Sequence, residues 1–311
     1  MKKYGFGVDI GGTTIKLGLF QTDGKLLDKW EIPTRKENGG EAILPDVAAA
    51  IDAKCQECGI DSADVQGVGV GVPGPVTPEG VVRKCVNLGW GVFNVEETLS
   101  GLTGFQVKAG NDANVAALGE MWQGAGSGAQ NMVMVTLGTG VGGGVIVNGR
   151  VVAGATGAGG EIGHIPISDE EDLVCGCGKK GCLEQYASAT GIVTLTKRTL
   201  EAHDEPSSLR GVKELTAKEI FDAAKEGDDL ALAVLEQFGE FLGKGLASVA
   251  SVVNPEVFVI GGGVSKAGTI ILEYVEKYFV PYAFHACREA KFKVAELGND
   301  AGIYGCVQML L

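Results

Sequence analysis

The chain has 311 residues, of which 45% are apolar and 21% charged, and its net charge is −13. This length allows two domains, and the composition carries no sign of disorder. The acidic balance argues against a nucleic-acid partner, because neutralising phosphates needs clustered Lys and Arg. No apolar run approaches the length of a membrane span, and residues 1–4 lead into an apolar strand without a signal-peptide pattern. We therefore expect a cytoplasmic protein with no membrane partner.

The numbers of glycines and cysteines indicate further properties of the protein. Fifty glycines indicate many tight backbone turns, which suit a protein that binds phosphate and sugar through main-chain groups. Eight cysteines in a cytoplasmic chain are expected to be thiols or metal ligands rather than disulfides. Cys55 and Cys58 form a C-x-x-C on the amphipathic segment 41–58 without a second pair, so we expect no redox role for them.

The first strands form a pattern that occurs twice. An apolar strand at 4–10 leads through a Gly-Thr turn into a second strand, a turn at Asp23-Gly24 and a third strand, which predicts a hairpin meander. The pattern returns at 132–152, where Val135 aligns with Val8 and Gly138 with Gly11. This internal duplication predicts an α/β protein with the two-domain fold of actin, hexokinase and the heat-shock ATPases, built from duplicated ribonuclease H-like domains.

Two glycine runs imitate a dinucleotide-binding fingerprint. Residues 138–143 and 69–74 both satisfy G-x-G-x-x-G after a strand. The first run continues into another strand and the second into Pro75, whereas the fingerprint needs glycines that open a helix. A P-loop motif is also missing from the sequence, so neither type of nucleotide site is predicted.

Further elements follow in chain order. Buried strands are predicted at 65–72 and 105–109, and a helix at 113–122 starts after Gly110-Asn111-Asp112. Helices are predicted at 188–202, 216–226 and 228–253, followed by a strand at 257–260, another helix and a final helix at 301–311. We place a smaller N-terminal domain at 1–120 with 299–311, and a larger domain at 121–298 that holds the metal site and a dimerisation surface.

Three glycine turns are candidates for binding ATP. Glycines allow backbone amides to approach phosphate oxygens, although a single Gly-Thr turn is about as often an ordinary hairpin. Lys16 is the weakest of the candidates, since a lysine on a strand is usually a solvated edge residue. The nucleotide candidates are Asp9, Gly11, Gly12, Thr13, Thr14, Lys16, Gly138, Thr139, Gly140, Gly261, Gly262 and Gly263.

The stretch 159–185 contains a candidate metal site. Cys175, Cys177 and Cys182 form C-x-C-x4-C with glycines between them, and His164 lies just upstream. A Cys3His set suits tetrahedral zinc, and four protein ligands leave no open position, so the predicted zinc is structural. The alternative is three small buried or reactive cysteines beside an ordinary core histidine.

These motifs resemble those of the bacterial ROK proteins, which include repressors and sugar kinases. The run Gly160-Glu161-Ile162-Gly163-His164 and the segment from Cys175 to Glu184 match the family pattern G-E-x-G-H followed by C-x-C-G-x-x-G-C-x-E. The resemblance extends from Asp9 to Gly305, and its details are most similar to the glucokinase branch. It implies the same duplicated fold, a final helix that packs on the first domain, and a homodimer.

The resemblance also assigns roles to individual residues. It implies that Asp112 is the general base that accepts the proton of the attacking sugar hydroxyl. Without the resemblance, the less favoured alternative is that Asn-Asp before an apolar helix is a helix cap. Asp9 is expected to act through Mg²⁺ or its water. The implied sugar-binding residues are Gly74, Asn111, Asp112, Glu161, His164 and Glu184.

The predicted function is therefore ATP-dependent phosphorylation of glucose to glucose 6-phosphate. The nearest alternative is a kinase for N-acetylmannosamine, N-acetylglucosamine or another hexose. A sugar-responsive repressor would need a helix-turn-helix domain before the kinase-like body, whereas here the first phosphate turn starts at residue 9. Polyphosphate as the phosphoryl donor stays open, although the acidic charge disfavours a long polyanion track.

Overall fold

The computed structural model describes residues 2–83 and 85–311. Its twelve described strands are β1 (Tyr4–Ile10), β2 (Thr14–Gln21), β3 (Leu26–Pro33), β4 (Val65–Val72), β5 (Val81–Val82), β6 (Phe93–Asn94), β7 (Val107–Asn111), β8 (Met132–Leu137), β9 (Val141–Val147), β10 (Arg150–Val151), β11 (Val257–Gly261) and β12 (Lys291–Val294).

The helices of the described residues are α1 (Glu37–Gly40), α2 (Ile43–Cys58), α3 (Val95–Thr103), α4 (Asp112–Gln123), α5 (Glu184–Ala187), α6 (Ala189–Ala202), α7 (Ala217–Lys225), α8 (Asp229–Val253), α9 (Ile270–Tyr282) and α10 (Ala301–Gln308). Over the described ranges, none of these helices is long and apolar enough to cross a membrane.

Two five-stranded sheets share one strand order. The first has the order β3-β2-β1-β4-β7 and the second the order β10-β9-β8-β11-β12. In each sheet the antiparallel hairpin strands come first in the chain, and two parallel strands follow. Val8 pairs with Val70 in the first sheet, and Val135 pairs with Ile260 in the second. The predicted duplication and the predicted fold class are therefore confirmed.

The chain divides into two compact units. One unit runs up to Gln130 and also includes Gly144–Gly160 and Glu296–Leu311, and the other comprises Asn131–Gly143 and Glu161–Ala295. The segments 121–130 and 144–160 thus group with the N-terminal part of the chain. The functional domain boundaries proposed from the sequence stay a prediction.

Backbone contact between α10 and its neighbours organises the first unit. Residues 301–308 pack on α4, β1 and β4. A Cβ on Gly69 of β4 would lie 1.7 Å from the Cys306 carbonyl oxygen, and one on Gly305 would lie 1.6 Å from the Val115 carbonyl oxygen. Only glycine allows such an approach, because any side chain would collide with backbone atoms. Gly69 and Gly305 therefore serve close packing of α10 and not a turn.

Two stretches differ from the sequence prediction. The strand expected at 105–109 runs over Val107–Asn111, so it continues to the residue before Asp112. Residues 73–103 and 291–294, where no elements were predicted, contain β5, β6, α3 and β12. The strands there are two to four residues long. Such lengths carry too little periodicity to distinguish a strand from a loop.

Candidate active site and metal centre

The parallel strands of the first sheet bring four of the predicted site residues to one edge of the sheet. These residues are Asp9, Gly74, Asn111 and Asp112. β1, β4 and β7 are neighbours in register, with Asp9 opposite Gly71 and Val72 opposite Asn111. Because the carboxyl ends of parallel strands meet at one edge, the residues that follow β4 and β7 lie beside the end of β1. The Asn111 side-chain amide donates a hydrogen bond to the Gly74 carbonyl oxygen over 3.1 Å.

The N-terminus of α4 is capped by Asn111. Its side-chain oxygen accepts hydrogen bonds from the backbone N–H groups of Ala113 at 3.0 Å and Asn114 at 3.2 Å. Asp112 is the first helical residue, and its side chain is exposed. Its Oδ1 atom also accepts from the Ala113 N–H at 2.8 Å. The alternative interpretation of Asp112 as the helix cap is wrong, because the preceding residue fills that position.

Asp9 is half-buried at the end of β1, and its surroundings disfavour the charged carboxylate. The pKa of Asp9 is raised from 3.8 to about 6, mainly by burial and in addition by the negative charge of Asp112. The ammonium group of Lys16 opposes this rise. Two carboxyl groups at one edge therefore have different environments, with Asp112 in solvent and Asp9 partly removed from it.

The first glycine turn is held by hydrogen bonds within the first unit. The Gly11 N–H donates to the Thr14 carbonyl at 3.0 Å, and the Thr34 hydroxyl donates to the Gly11 carbonyl at 2.8 Å. Thr13 and Thr14 are exposed. The Lys16 ammonium donates to the Asn299 carbonyl at 2.9 Å, so this lysine tethers the segment before α10 and is not a free edge residue.

The second unit places the other two glycine turns side by side. They follow β8 and β11, which are parallel neighbours with Thr136 opposite Gly261. Gly262 has a φ of +84°, and a Cβ there would lie 2.5 Å from the Leu137 carbonyl oxygen. The chain thus needs glycine both for its backbone angle and for the close approach to the end of β8. Thr136 stands where Asp9 stands in the first sheet, so the second copy lacks that carboxylate.

Glu184 lies at the second glycine turn. A Cβ on Gly140 would be 2.6 Å from Glu184 Oε2. The other oxygen, Oε1, is 3.0 Å from the Cys175 sulfur and 3.6 Å from His164 Nδ1. Glu161 is exposed and approaches the opposite ring nitrogen of His164, with 3.9 Å between Oε2 and Nε2. The structure therefore brings together the three sugar-binding candidates of this unit.

The four predicted metal ligands form one cluster. The ligand atoms of His164, Cys175, Cys177 and Cys182 all lie within 4.8 Å of one another. The Cys177 and Cys182 sulfurs are 3.5 Å apart, and the Cys175 sulfur is 3.7 Å from His164 Nδ1. A tetrahedral zinc with bonds of about 2.3 Å to sulfur and 2.0 Å to nitrogen separates its ligand atoms by roughly 3.5–3.8 Å. The cluster fits such an ion.

An ion pair between a buried carboxylate and an exposed arginine, which the sequence did not reveal, supports the metal-site loop. Glu171 has a side chain only 1% exposed, and its two oxygens accept hydrogen bonds from the Arg198 guanidinium at 2.7 and 3.0 Å. It also accepts from the Leu173 N–H at 2.9 Å, and the hydrogen bonds from Arg198 are the main reason that the pKa of Glu171 is lowered to about 2. Glu171 stands among Asp169, Glu170 and Asp172, so no sequence pattern distinguishes it.

The duplicated sheets, with glycine turns at the carboxyl ends of their strands, define the class of proteins that includes hexokinase, actin and the heat-shock ATPases. A solved ROK hexokinase from Thermus thermophilus has this fold and a TM-score of 0.77 to the chain, with 33% identity and coverage of 98% of this chain and 96% of that one. The chain belongs to the ROK family, whose sequence model matches residues 5–311.

Named relatives are similar over nearly the full chain. A glucokinase of Halalkalibacterium halodurans is 45% identical over 96% of this chain and 92% of its own length. A crystal structure of a ROK family glucokinase from Streptomyces griseus, in complex with glucose and AMPPNP, has a TM-score of 0.74 and 33% identity and covers 98% of both chains. Further matching relatives are described as N-acetylhexosamine kinases and as a xylose repressor. Membership of the family, predicted from the motifs, is confirmed.

The environment of Asp9 predicts a pH-dependent stability. Because the pKa of Asp9 in the folded chain is about 6 and its ordinary value is 3.8, its stabilising contribution is complete below pH 3.8 and is lost as the pH rises through about 6. Asp9→Asn removes this loss, because an amide does not titrate. The difference in free energy of unfolding between variant and parent should therefore shift by about 2–3 kcal/mol in favour of the variant when the pH is raised from about 4 to about 7.

Urea unfolding of both proteins at the two pH values, without nucleotide or divalent cation, measures this gain. A stability difference that is the same at both pH values would contradict a raised pKa for Asp9.

Proposed function

We propose that this protein transfers the γ-phosphoryl group of ATP to the 6-hydroxyl group of glucose and releases glucose 6-phosphate. The observation that carries the proposal is the exposed carboxylate of Asp112 at the start of α4, at the same strand edge as Asp9, in a chain whose relatives are named glucokinases. A kinase for a sugar hydroxyl needs such a carboxylate to accept the proton of the attacking oxygen.

Asp112 is the proposed general base. Its side chain is exposed, and Asn111 rather than Asp112 is the N-cap of the helix. As the 6-hydroxyl oxygen attacks the γ-phosphorus, the O–H proton passes to Asp112 and the bond to the ADP oxygen breaks. The other sugar hydroxyls are proposed to bind Gly74, Asn111, Glu161, His164 and Glu184.

The nucleotide is proposed to bind the three glycine turns. The supporting observations are the uncovered hydroxyls of Thr13 and Thr14 and the adjacent turns at 138–140 and 261–263. Mg²⁺ bound with the nucleotide would neutralise charge on the phosphates. Asp9 is the proposed residue to hold that ion through water, and the ion's charge would lower the raised pKa of this carboxylate.

Zinc is proposed at His164, Cys175, Cys177 and Cys182, where it would be structural. All four positions of a tetrahedron would be filled by the protein, so no site stays open for chemistry. His164 would bind through Nδ1, which lies 3.7 Å from the Cys175 sulfur, and Nε2 would face Glu161 and remain a hydrogen-bond donor. The ion would thus fix the imidazole ring beside two of the proposed sugar-binding carboxylates.

The main alternative is a kinase for an N-acetylated hexosamine, since such kinases are among the matching relatives. The repressor alternative is less well supported, because Asp112 and all the glycine turns are present. The homodimer, the cytoplasmic location and ATP in preference to polyphosphate stay predictions.

A panel of acceptors tests the proposed substrate. With MgATP, turnover divided by KM should be highest for glucose, and mannose, fructose, N-acetylglucosamine and N-acetylmannosamine should each be at least about 10-fold poorer, as expected when a polar pocket leaves groups unpaired. A coupled assay for ADP measures each rate. A preference for N-acetylmannosamine or N-acetylglucosamine would establish the alternative kinase instead.

The role of Asp112 predicts a specific loss. Asp112→Asn keeps the size of the side chain but removes the proton acceptor, so turnover should fall by about 10²- to 10⁴-fold. The glucose dissociation constant should change little, because an amide oxygen still accepts a hydrogen bond from the 6-hydroxyl. Steady-state kinetics and glucose titration by calorimetry separate the two effects.

Asp229→Asn is the matched control, because Asp229 is also an exposed first residue of a helix, preceded by its cap. Both variants lose the same favourable interaction with a helix N-terminus, but Asp229→Asn should retain the parent turnover. Near-normal turnover of Asp112→Asn would remove it as the base and leave Glu161 as the next candidate.

The zinc proposal predicts about one zinc per chain in elemental analysis. Cys177→Ala should lower the zinc content, the thermal stability and the affinity for glucose together, because the ion would orient His164. Cys58→Ala changes an exposed cysteine outside the cluster and should leave all three unchanged. Unchanged zinc content in Cys177→Ala would overturn the ligand assignment.

A further inference from the structure

Glu120, in the last turns of α4, is completely buried. Its carboxylate accepts three backbone hydrogen bonds. Oε2 accepts from the Ala125 N–H at 2.9 Å and the Glu296 N–H at 3.1 Å, and Oε1 accepts from the Leu297 N–H at 2.8 Å. One side chain therefore joins the end of α4 to a segment more than 170 residues later in the sequence.

Burying a carboxylate near the C-terminal end of a helix is unfavourable on two grounds. Desolvation penalises the charge, and the negative end of the helix dipole repels it. Three N–H donors offset this cost, but an apolar residue would fill the same space without it. Because the three donors belong to two separate chain segments, the carboxylate holds the segment 296–297 against the end of α4.

The segment bound by Glu120 leads directly to Asp9. Beyond Leu297, the Asn299 carbonyl accepts the Lys16 ammonium at 2.9 Å. Gly302, in the first turn of α10, then lies against the Asp9 carboxylate, and a Cβ on it would be only 2.6 Å from Asp9 Oδ2. Residues 296–302 are thus fixed by Glu120 at one end and contact Asp9 at the other.

The helix that carries Glu120 also carries Asp112. Asp112 is its first residue and Glu120 lies two turns later, so a shift at Glu120 is transmitted along the rigid helix to Asp112. Gly119, beside Glu120, packs on the Ala301 carbonyl, where a Cβ would be 2.1 Å away. The helix that carries Asp112, α4, therefore meets the start of α10, which contacts Asp9, directly beside Glu120.

We propose that Glu120 is a positioning residue that fixes the spacing between the Asp9 and Asp112 carboxylates by holding residues 296–297 against α4. This inference rests on the proposed function, in which Asp112 accepts the proton and Asp9 holds the ion of the nucleotide. Glu120 contacts neither substrate nor ion and acts only through the two chain segments.

The first test is Glu120→Gln, which keeps the shape but places an amide N–H against one of the backbone donors. Turnover should fall by about 10- to 100-fold and the Mg²⁺ concentration for half-maximal rate should rise, because small displacements of reacting groups are costly. The KM for glucose should change by less than about 3-fold, since no proposed sugar ligand is touched. Hydrogen exchange should become faster at the amides of Ala125 and Leu297.

Asp228→Asn is the control for a purely structural effect. Asp228 caps α8 and accepts hydrogen bonds from the N–H groups of Ser208 and Ala231, so its loss should also lower stability. It lies in the other unit, and its variant should keep the parent turnover and Mg²⁺ dependence when assayed well below its melting temperature.

Gly124→Ala is a second variant that leaves Glu120 in place. A Cβ at Gly124 would lie 2.2 Å from Glu120 Oε2 and would displace the carboxylate, while the extended backbone of Gly124 accepts alanine. It should also lower turnover and raise the Mg²⁺ concentration for half-maximal rate while the KM for glucose changes little. It replaces Glu120→Gln in the assay if that variant does not fold.

Parent turnover and Mg²⁺ dependence in the folded Glu120→Gln or Gly124→Ala variant would overturn the positioning role. The same defects in Asp228→Asn would also overturn it, because they would then follow from lost stability. The proposed function fails separately, if Asp9→Asn and Asp112→Asn keep the parent activity.

Discussion

The first unit depends on keeping one carboxylate partly out of water beside a second one. Asp9 ends β1 with α10 packed against it, and Asp112 begins α4 at the same strand edge. Burial and the charge of Asp112 raise the pKa of Asp9 to about 6, which costs stability at neutral pH. The positive charge of a bound divalent cation would offset both effects, because it stabilises an ionised carboxylate.

Glycine makes this arrangement sterically possible. Gly69 and Gly305 let α10 approach β4 and α4 at backbone contact distance, which brings the start of α10 onto Asp9. The high glycine content thus has two separate uses: close helix packing, at Gly69 and Gly305 in the first unit and at Gly239 and Gly243 in the second, and tight turns such as 261–263. Composition alone suggested only the second use, because it carries no information about which backbones approach one another.

In the second unit, the polar side chains of Glu161 and His164 lie on irregular backbone. The stretch 161–183 contains a short 3₁₀ turn at Ile162–His164 and one isolated antiparallel bridge between Pro166 and Cys182, but no longer strand. The Cys3His cluster and the Glu171–Arg198 pair are further fixed points in it. A metal ion at the cluster would hold His164 and, through the Cys175 sulfur, the neighbourhood of Glu184.

The sequence by itself determined the duplicated fold, the bounds of β4, the four metal-ligand candidates and the family, because these depend on local patterns: continuous apolar runs, ligand spacing and contiguous motifs. Only the tertiary structure decided that Asn111 caps α4, that Lys16 tethers Asn299, and that Asp9 has a raised pKa. It alone distinguished Glu171 and Glu120 from exposed acidic residues. The Glu120–Leu297 hydrogen bond spans 177 residues, and the cost or benefit of a buried charge depends on such distant partners, which no local pattern encodes.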